Sequence, residues 1–110
     1  MAVKIGNVNT FPDVYADKEQ VMKIFEESAE VFSAWEHWNL WRERCERAIT
    51  DIEKHTRGVY EADYRRYLLE ECADVIQAIC NLLAALGVED FTEWMQVVEE
   101  KNRDRGRYGL

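Results

Sequence analysis

The sequence predicts an all-α fold, a helical bundle of about four helices, and three observations carry that expectation. The only proline is Pro12 and the five glycines are Gly6, Gly58, Gly87, Gly106 and Gly109, so long stretches lack both strong helix breakers. Two capping-box patterns, Asp17 with Gln20 and Asp90 with Glu93, stand before the apolar runs VMKIF and WMQVV. Gly87 follows LLAAL, where a left-handed glycine closes a helix.

Residues 1–16 read as an extended or mobile segment, and the first helix starts after Asp17. An unbroken helix from Lys18 to Lys54 would be about 55 Å long, too long for a domain of this size. Asn39, in WNLWR, is the expected break, leaving a first helix to about Trp38 and a short second one from about Trp41 to Lys54. Gly58 then interrupts the chain. The third helix, about 63–86, is the most apolar and is expected at the centre, and the fourth runs from about Phe91 to Arg103.

At 110 residues the chain is one domain, 1–110. Its 22 acidic and 14 basic residues give a net charge of -8, which repels nucleic acid and anionic lipid. No run approaches the roughly 20 apolar residues of a membrane span, and the N-terminus has no signal-peptide pattern, so a cytoplasmic protein is expected. Cys45, Cys72 and Cys80 are odd in number and lack zinc spacing, which reads as reduced filler.

The chain repeats itself. EESAEVFSAW at 26–35 and EECADVIQAI at 70–79 share Glu-Glu-x-Ala-acid-Val-x-x-Ala at an offset of 44. At about 100° per residue, Tyr67, Leu68, Val75, Ala78, Leu82 and Leu86 form an apolar stripe with Glu71 near its middle and Asp74 at its edge. On the first helix Val21, Ile24, Phe25, Ser28, Phe32 and Trp35 form the corresponding stripe. Glu27 flanks it, and Glu30 lies further round.

Carboxylates on a core-facing stripe need cations or protons, and four of them cannot neutralise one another. Glu27 with Glu30, and Glu71 with Asp74, are each one helical turn apart, so both pairs can present oxygens to a shared ion. Oxygen-only ligation favours Mg²⁺ or Mn²⁺. A redox di-iron centre would call for Glu-x-x-His pairs, which neither His37 nor His55 completes. A hairpin turning at Gly58 would leave the pairs roughly 20 Å apart. The break at Asn39 is therefore expected to be what lets them meet.

EESAE followed by EECAD resembles the E-E-x-x-E and E-x-x-D motif pair of the MazG-like all-α nucleoside triphosphate pyrophosphohydrolases. The likeness extends through LLAALGVEDFTEW to EKNRDRGRY and covers about residues 18–108, with a longer gap between the motifs than in compact members of that family. It implies a MazG-like fold and Mg²⁺-dependent hydrolysis between the α and β phosphates of a nucleoside triphosphate, giving a monophosphate and pyrophosphate. It also implies a homodimer or homotetramer. The metal ligands would be Glu27, Glu30, Glu71 and Asp74. Analogy leaves open whether Glu26 or Glu27 is catalytic base or ligand, while the helical angles turn Glu27 toward the core and Glu26 outward. Asn81 shares the face of Asp74, and its amide could reach the nucleotide or support Asp74. Within the basic cluster KNRDRGRY, Lys101, Asn102 and Arg105 resemble phosphate-contacting residues. A basic helix end also complements the macrodipole without any ligand. Trp35, Trp38 and Trp41 have the spacing of a core or subunit contact, which is a second reason to expect self-association, with stacking on a nucleotide base as the alternative. The alternative is a non-enzymatic helical interaction module whose carboxylates are solvated or pair with a partner's basic residues, with no need of Mg²⁺.

Overall fold

The computed structural model describes residues 1–109 and is all-helical. Helix α1 spans Lys18–Glu46, α2 Asp51–Ala85 and α3 Thr92–Asp104. Asp17 caps α1 as its sequence predicts, accepting the Gln20 N–H at 3.0 Å. Thr50 caps α2 by accepting the Glu53 N–H, while Glu53 reaches back to the Ile49 N–H. Gly87, at φ +76°, closes α2 in a Schellman motif: its N–H donates to Ala84 O, and the Val88 N–H to Leu83 O. Gly106 ends α3 in the same way, with donation to Arg103 O and from Arg107 to Asn102 O. None of the helices is long and apolar enough to cross a membrane.

The helix count corrects the four-helix expectation. Asn39 does not break α1. Its side chain is taken up along the helix, donating to Glu43 Oε1 at 3.3 Å and accepting from Arg42 at 3.1 and 2.6 Å. Gly58 lies inside α2, where it costs about 1 kcal/mol relative to alanine without ending the helix. The expected short second helix and the third are thus parts of α1 and α2. Helices of 29 and 35 residues, roughly 43 and 52 Å long, survive because each supports the other along its whole length.

They form an antiparallel hairpin around the turn at 47–50. Gln20 donates to Ala78 O, Trp38 Nε1 to Glu61, and Arg57 to Arg44 O, so partners run in opposite directions along the two helices. The covered residues of α1 are Ile24, Glu27, Val31, Ala34, Trp38 and Trp41, and those of α2 include Tyr64, Leu68, Glu71, Val75 and Ala78. Their alternating steps of three and four are the spacing of a coiled-coil seam. Here a second expectation fails. Of the apolar stripe assigned to α1 only Ile24 faces α2, and Val21, Phe25, Phe32 and Trp35 are exposed. Helix α1 carries two apolar stripes, and the bulkier one faces outward.

Of the three helices only α1 and α2 touch. The radius of gyration is 18.3 Å, against about 13 Å for a compact chain of this length. Ala34 and Ala78 are the only buried apolar side chains among the described residues.

Candidate functional site

The internal repeat is the seam itself. Glu27, Val31 and Ala34 on α1 match Glu71, Val75 and Ala78 on α2, and an antiparallel pair carrying one pattern on both strands brings the two leading glutamates together. The turn at 47–50 sets the register, placing Glu27 opposite about residue 70. The carboxylates therefore meet without any break at Asn39, contrary to the sequence expectation, because the hairpin turns ten residues before Gly58.

Glu27, Glu30 and Glu71 each offer a carboxylate oxygen, and these oxygens all lie within 4.8 Å of one another. Glu27 is 8 % exposed and Glu71 7 %, while Glu30 opens to solvent. Glu27 Oε2 and Glu71 Oε2 are both buried and neither has a hydrogen-bond partner. A buried oxygen anion without a donor is unfavourable unless a cation or proton supplies the missing partner.

The protein's own compensation is partial. Lys23 Nζ lies 3.0 Å from Glu27 Oε1 and 3.8 Å from Glu26. That hydrogen-bonded ammonium holds the Glu27 carboxyl below its ordinary range, and the Glu27 carboxylate in return raises the pKa of Lys23. Glu30 is pushed up, first by Glu71 and then by Glu27, and the Glu71 carboxylate also raises the Tyr67 hydroxyl. Three acids thus share a space in which one lysine serves only one of them.

Asp74 is exposed and stands outside the three-carboxylate group, on the wall of an adjoining cleft of about 260 Å³. Glu27, Lys23, Gln77, Asn81 and Phe11 line the same cleft. Glu26 points outward, as its helical angle predicts. Asn81 is buried, and its Oδ1 accepts the Phe11 N–H and Gln77 Nε2, both at 3.1 Å. Gln77 also donates to Asn9 O at 2.9 Å. The N-terminal segment is therefore fastened to α2 beside the cleft, with Asn81 as the fastening. Lys101, Asn102 and Arg105 lie on and just after α3, which contacts neither of the other helices, and no ion pair among the described residues joins them to the carboxylates.

Lys23, Gln77 and Phe11 are site residues that the repeated sequence pattern does not mark, and Tyr67, read there as part of the apolar stripe, stands beside Glu71. Lys23 had a signal, since it precedes Glu27 by four residues and so shares its face. Phe11 had none, because its place depends on how an irregular segment crosses α2. Comparison with family models, curated proteins and solved structures finds no match to this chain.

Proposed function

We propose that the chain is a divalent-metal-dependent nucleoside triphosphate pyrophosphohydrolase, as its resemblance to the MazG-like enzymes implies. The observation that carries this reading is the pair of buried, unpartnered oxygens, Glu27 Oε2 and Glu71 Oε2, on two carboxylates that cluster with Glu30. An all-oxygen donor set of this kind fits Mg²⁺ or Mn²⁺. Glu27, Glu30 and Glu71 would hold the ion and Asp74 would join them from the cleft wall.

Bound there, the ion supplies neutralisation of phosphate charge and a lowered pKa for attacking water. The remaining work belongs to side chains. Glu26, outside the donor group and exposed, would be the carboxylate left to accept a proton from water. Asn81 and Lys23 line the cleft where a nucleotide would extend from the carboxylates. Lys101, Asn102 and Arg105 would hold the phosphate end. In this reading the protein is a cytoplasmic homodimer or homotetramer, with no role for nucleic acid or membrane.

Incubation with a panel of nucleoside triphosphates, with and without Mg²⁺, tests the proposal. The expected products are monophosphate and pyrophosphate, so a phosphate assay stays silent until inorganic pyrophosphatase is added. Stoichiometric orthophosphate with a diphosphate would defeat it. No turnover of any triphosphate would leave the interaction module.

A further inference from the structure

Lys23 holds a position that support of its own helix does not explain. A lysine four residues before a glutamate strengthens a helix less than the reverse order does, because it opposes the macrodipole. Yet Lys23 Nζ lies 3.0 Å from Glu27 Oε1, and no other ion pair among the described residues reaches Glu27, Glu30 or Glu71. Its service to the site is incomplete. Lys23 engages one oxygen of Glu27, while Glu27 Oε2 and Glu71 Oε2 stay buried without a partner. One ammonium thus stands beside three carboxylates whose oxygens gather within 4.8 Å.

The two members of the pair are unequal. The Glu27 side chain is 11 % exposed and fixed in the seam, whereas that of Lys23 is 54 % exposed on a flexible four-carbon stem. The lysine also borders the cleft of about 260 Å³ beside the carboxylates. Of the described residues that line this cleft, Lys23 is the one cation, and Glu27 and Asp74 are anions. Gln77 Nε2 is already committed to Asn9 O and Asn81 Oδ1, and Gln20 Nε2 to Ala78 O. A phosphate entering there meets two carboxylates and a single ammonium. A divalent ion among the carboxylates would repel an ammonium held on the same glutamate, and a phosphate in the cleft would attract it.

We propose that Lys23 is the resident cation of the carboxylate group: it holds Glu27 when no divalent ion is bound and passes to a phosphate of the substrate when one is. Lys23 therefore opposes metal binding and favours substrate binding, two effects of opposite sign from one side chain. The inference rests on the reading under Proposed function, and affinities test it apart from turnover.

Calorimetric titration of the full chain makes the test. Lys23→Met keeps an unbranched stem and removes the charge. Relieved of its competitor, the variant should bind Mg²⁺ roughly three- to tenfold tighter than the wild type. Its Mg²⁺-loaded form should bind inorganic tripolyphosphate at least about tenfold more weakly. Lys23→Arg keeps the charge and should stay close to the wild type in both. A lysine that merely supported α1 would change the melting temperature and leave both affinities alone. Equal or weaker Mg²⁺ binding by Lys23→Met overturns the resident cation, as do equal shifts in Lys23→Met and Lys23→Arg. Unchanged tripolyphosphate binding by Mg²⁺-loaded Lys23→Met overturns the passage to phosphate. If neither the wild type nor Lys23→Met binds Mg²⁺, the metal site falls and the proposal with it. If both affinities move as expected while no nucleoside triphosphate is turned over, the proposal stands and the hydrolytic reading alone falls.

Discussion

The two stretches of the α1–α2 seam are built on opposite terms. Near the turn, Trp41 stacks on Tyr60 with ring centroids 4.6 Å apart, His37 on Tyr64 at 5.7 Å, and the Arg44 guanidinium lies 4.6 Å from the Trp41 ring. Polar groups there have partners: Trp38 Nε1 donates to Glu61 at 2.9 Å and Arg57 to Arg44 O at 2.8 Å. Midway along the hairpin the same seam positions hold Glu27 and Glu71, each with an oxygen that nothing in the chain satisfies. One stretch satisfies its polar groups within the chain, and the other leaves two carboxylate oxygens unsatisfied. If the proposed metal site is there, stability and chemistry are separated along one pair of helices, and substitutions should separate them too.

The largest expected effect is chemical. Glu71→Gln keeps the shape of the seam but removes a charge, and turnover should fall at least about a hundredfold with loss of Mg²⁺ dependence. The metal-free variant should melt higher than the metal-free wild type, since one of three crowded carboxylates has gone. Wild-type turnover in Glu71→Gln would end the assignment of Glu71 as a ligand. At the aromatic end the balance reverses. Trp41→Ala should cost about 2–3 kcal/mol of stability, somewhat below a fully buried tryptophan, while Mg²⁺ still raises the melting temperature. A Trp41→Ala chain that lost its metal response at unchanged stability would erase the distinction between the two stretches.

Acidity sharpens the comparison. Because Glu71 and Glu27 raise the Glu30 pKa, the folded chain holds that proton more tightly than the unfolded chain does. Metal-free stability should therefore rise as pH falls through the raised Glu30 value toward the ordinary 4.5. Below that, Glu27, whose pKa Lys23 lowers, takes up its proton and the stability from their pair is lost. A proton on Glu30 also competes with a cation, so the melting-temperature gain from Mg²⁺ should shrink over the same window as pH falls. Thermal melts from about pH 4 to 8, with and without Mg²⁺, check both signs. A gain independent of pH would remove Glu30 from the donor set. The smallest effect is local. Gly58→Ala should stabilise α2 by up to about 1 kcal/mol, since a methyl group there meets nothing within 4 Å. Denaturant titration giving a loss would mean that the glycine is needed for something the hairpin alone does not show.

Much of this was legible in the sequence. Asp17 and Gly87 mark helix ends because capping is local chemistry, and the repeat at 26–34 and 70–78 marks the seam because its glutamates, valines and alanines occupy it. What could not be read from single helices was their mutual support. Asn39 is a weak helix former in isolation, but Trp38 and Trp41 on either side of it are both held against α2. Thr50 with Glu53 three residues on is a capping pattern written in the sequence. It places the turn at 47–50, and with it the register that brings Glu27 to Glu71. Side-chain bulk points to the Phe25 and Phe32 stripe on α1, whereas the seam admits the smaller Val31 and Ala34. The placing of Asn81 against Phe11 joins residues 70 apart and has no local signature.

The separation along the hairpin also orders events in time. Trp41 and Tyr60 are 19 residues apart in the chain, whereas Glu27 and Glu71 are 44 apart, and the entropy of closing a loop grows with its length. The hairpin therefore zips from its turn, and the glutamates are drawn together after the aromatic rings have met. On the proposed reading, a cation that binds only the finished site would arrive late and act as a latch, slowing the opening of the hairpin while leaving the rate of its closing unchanged.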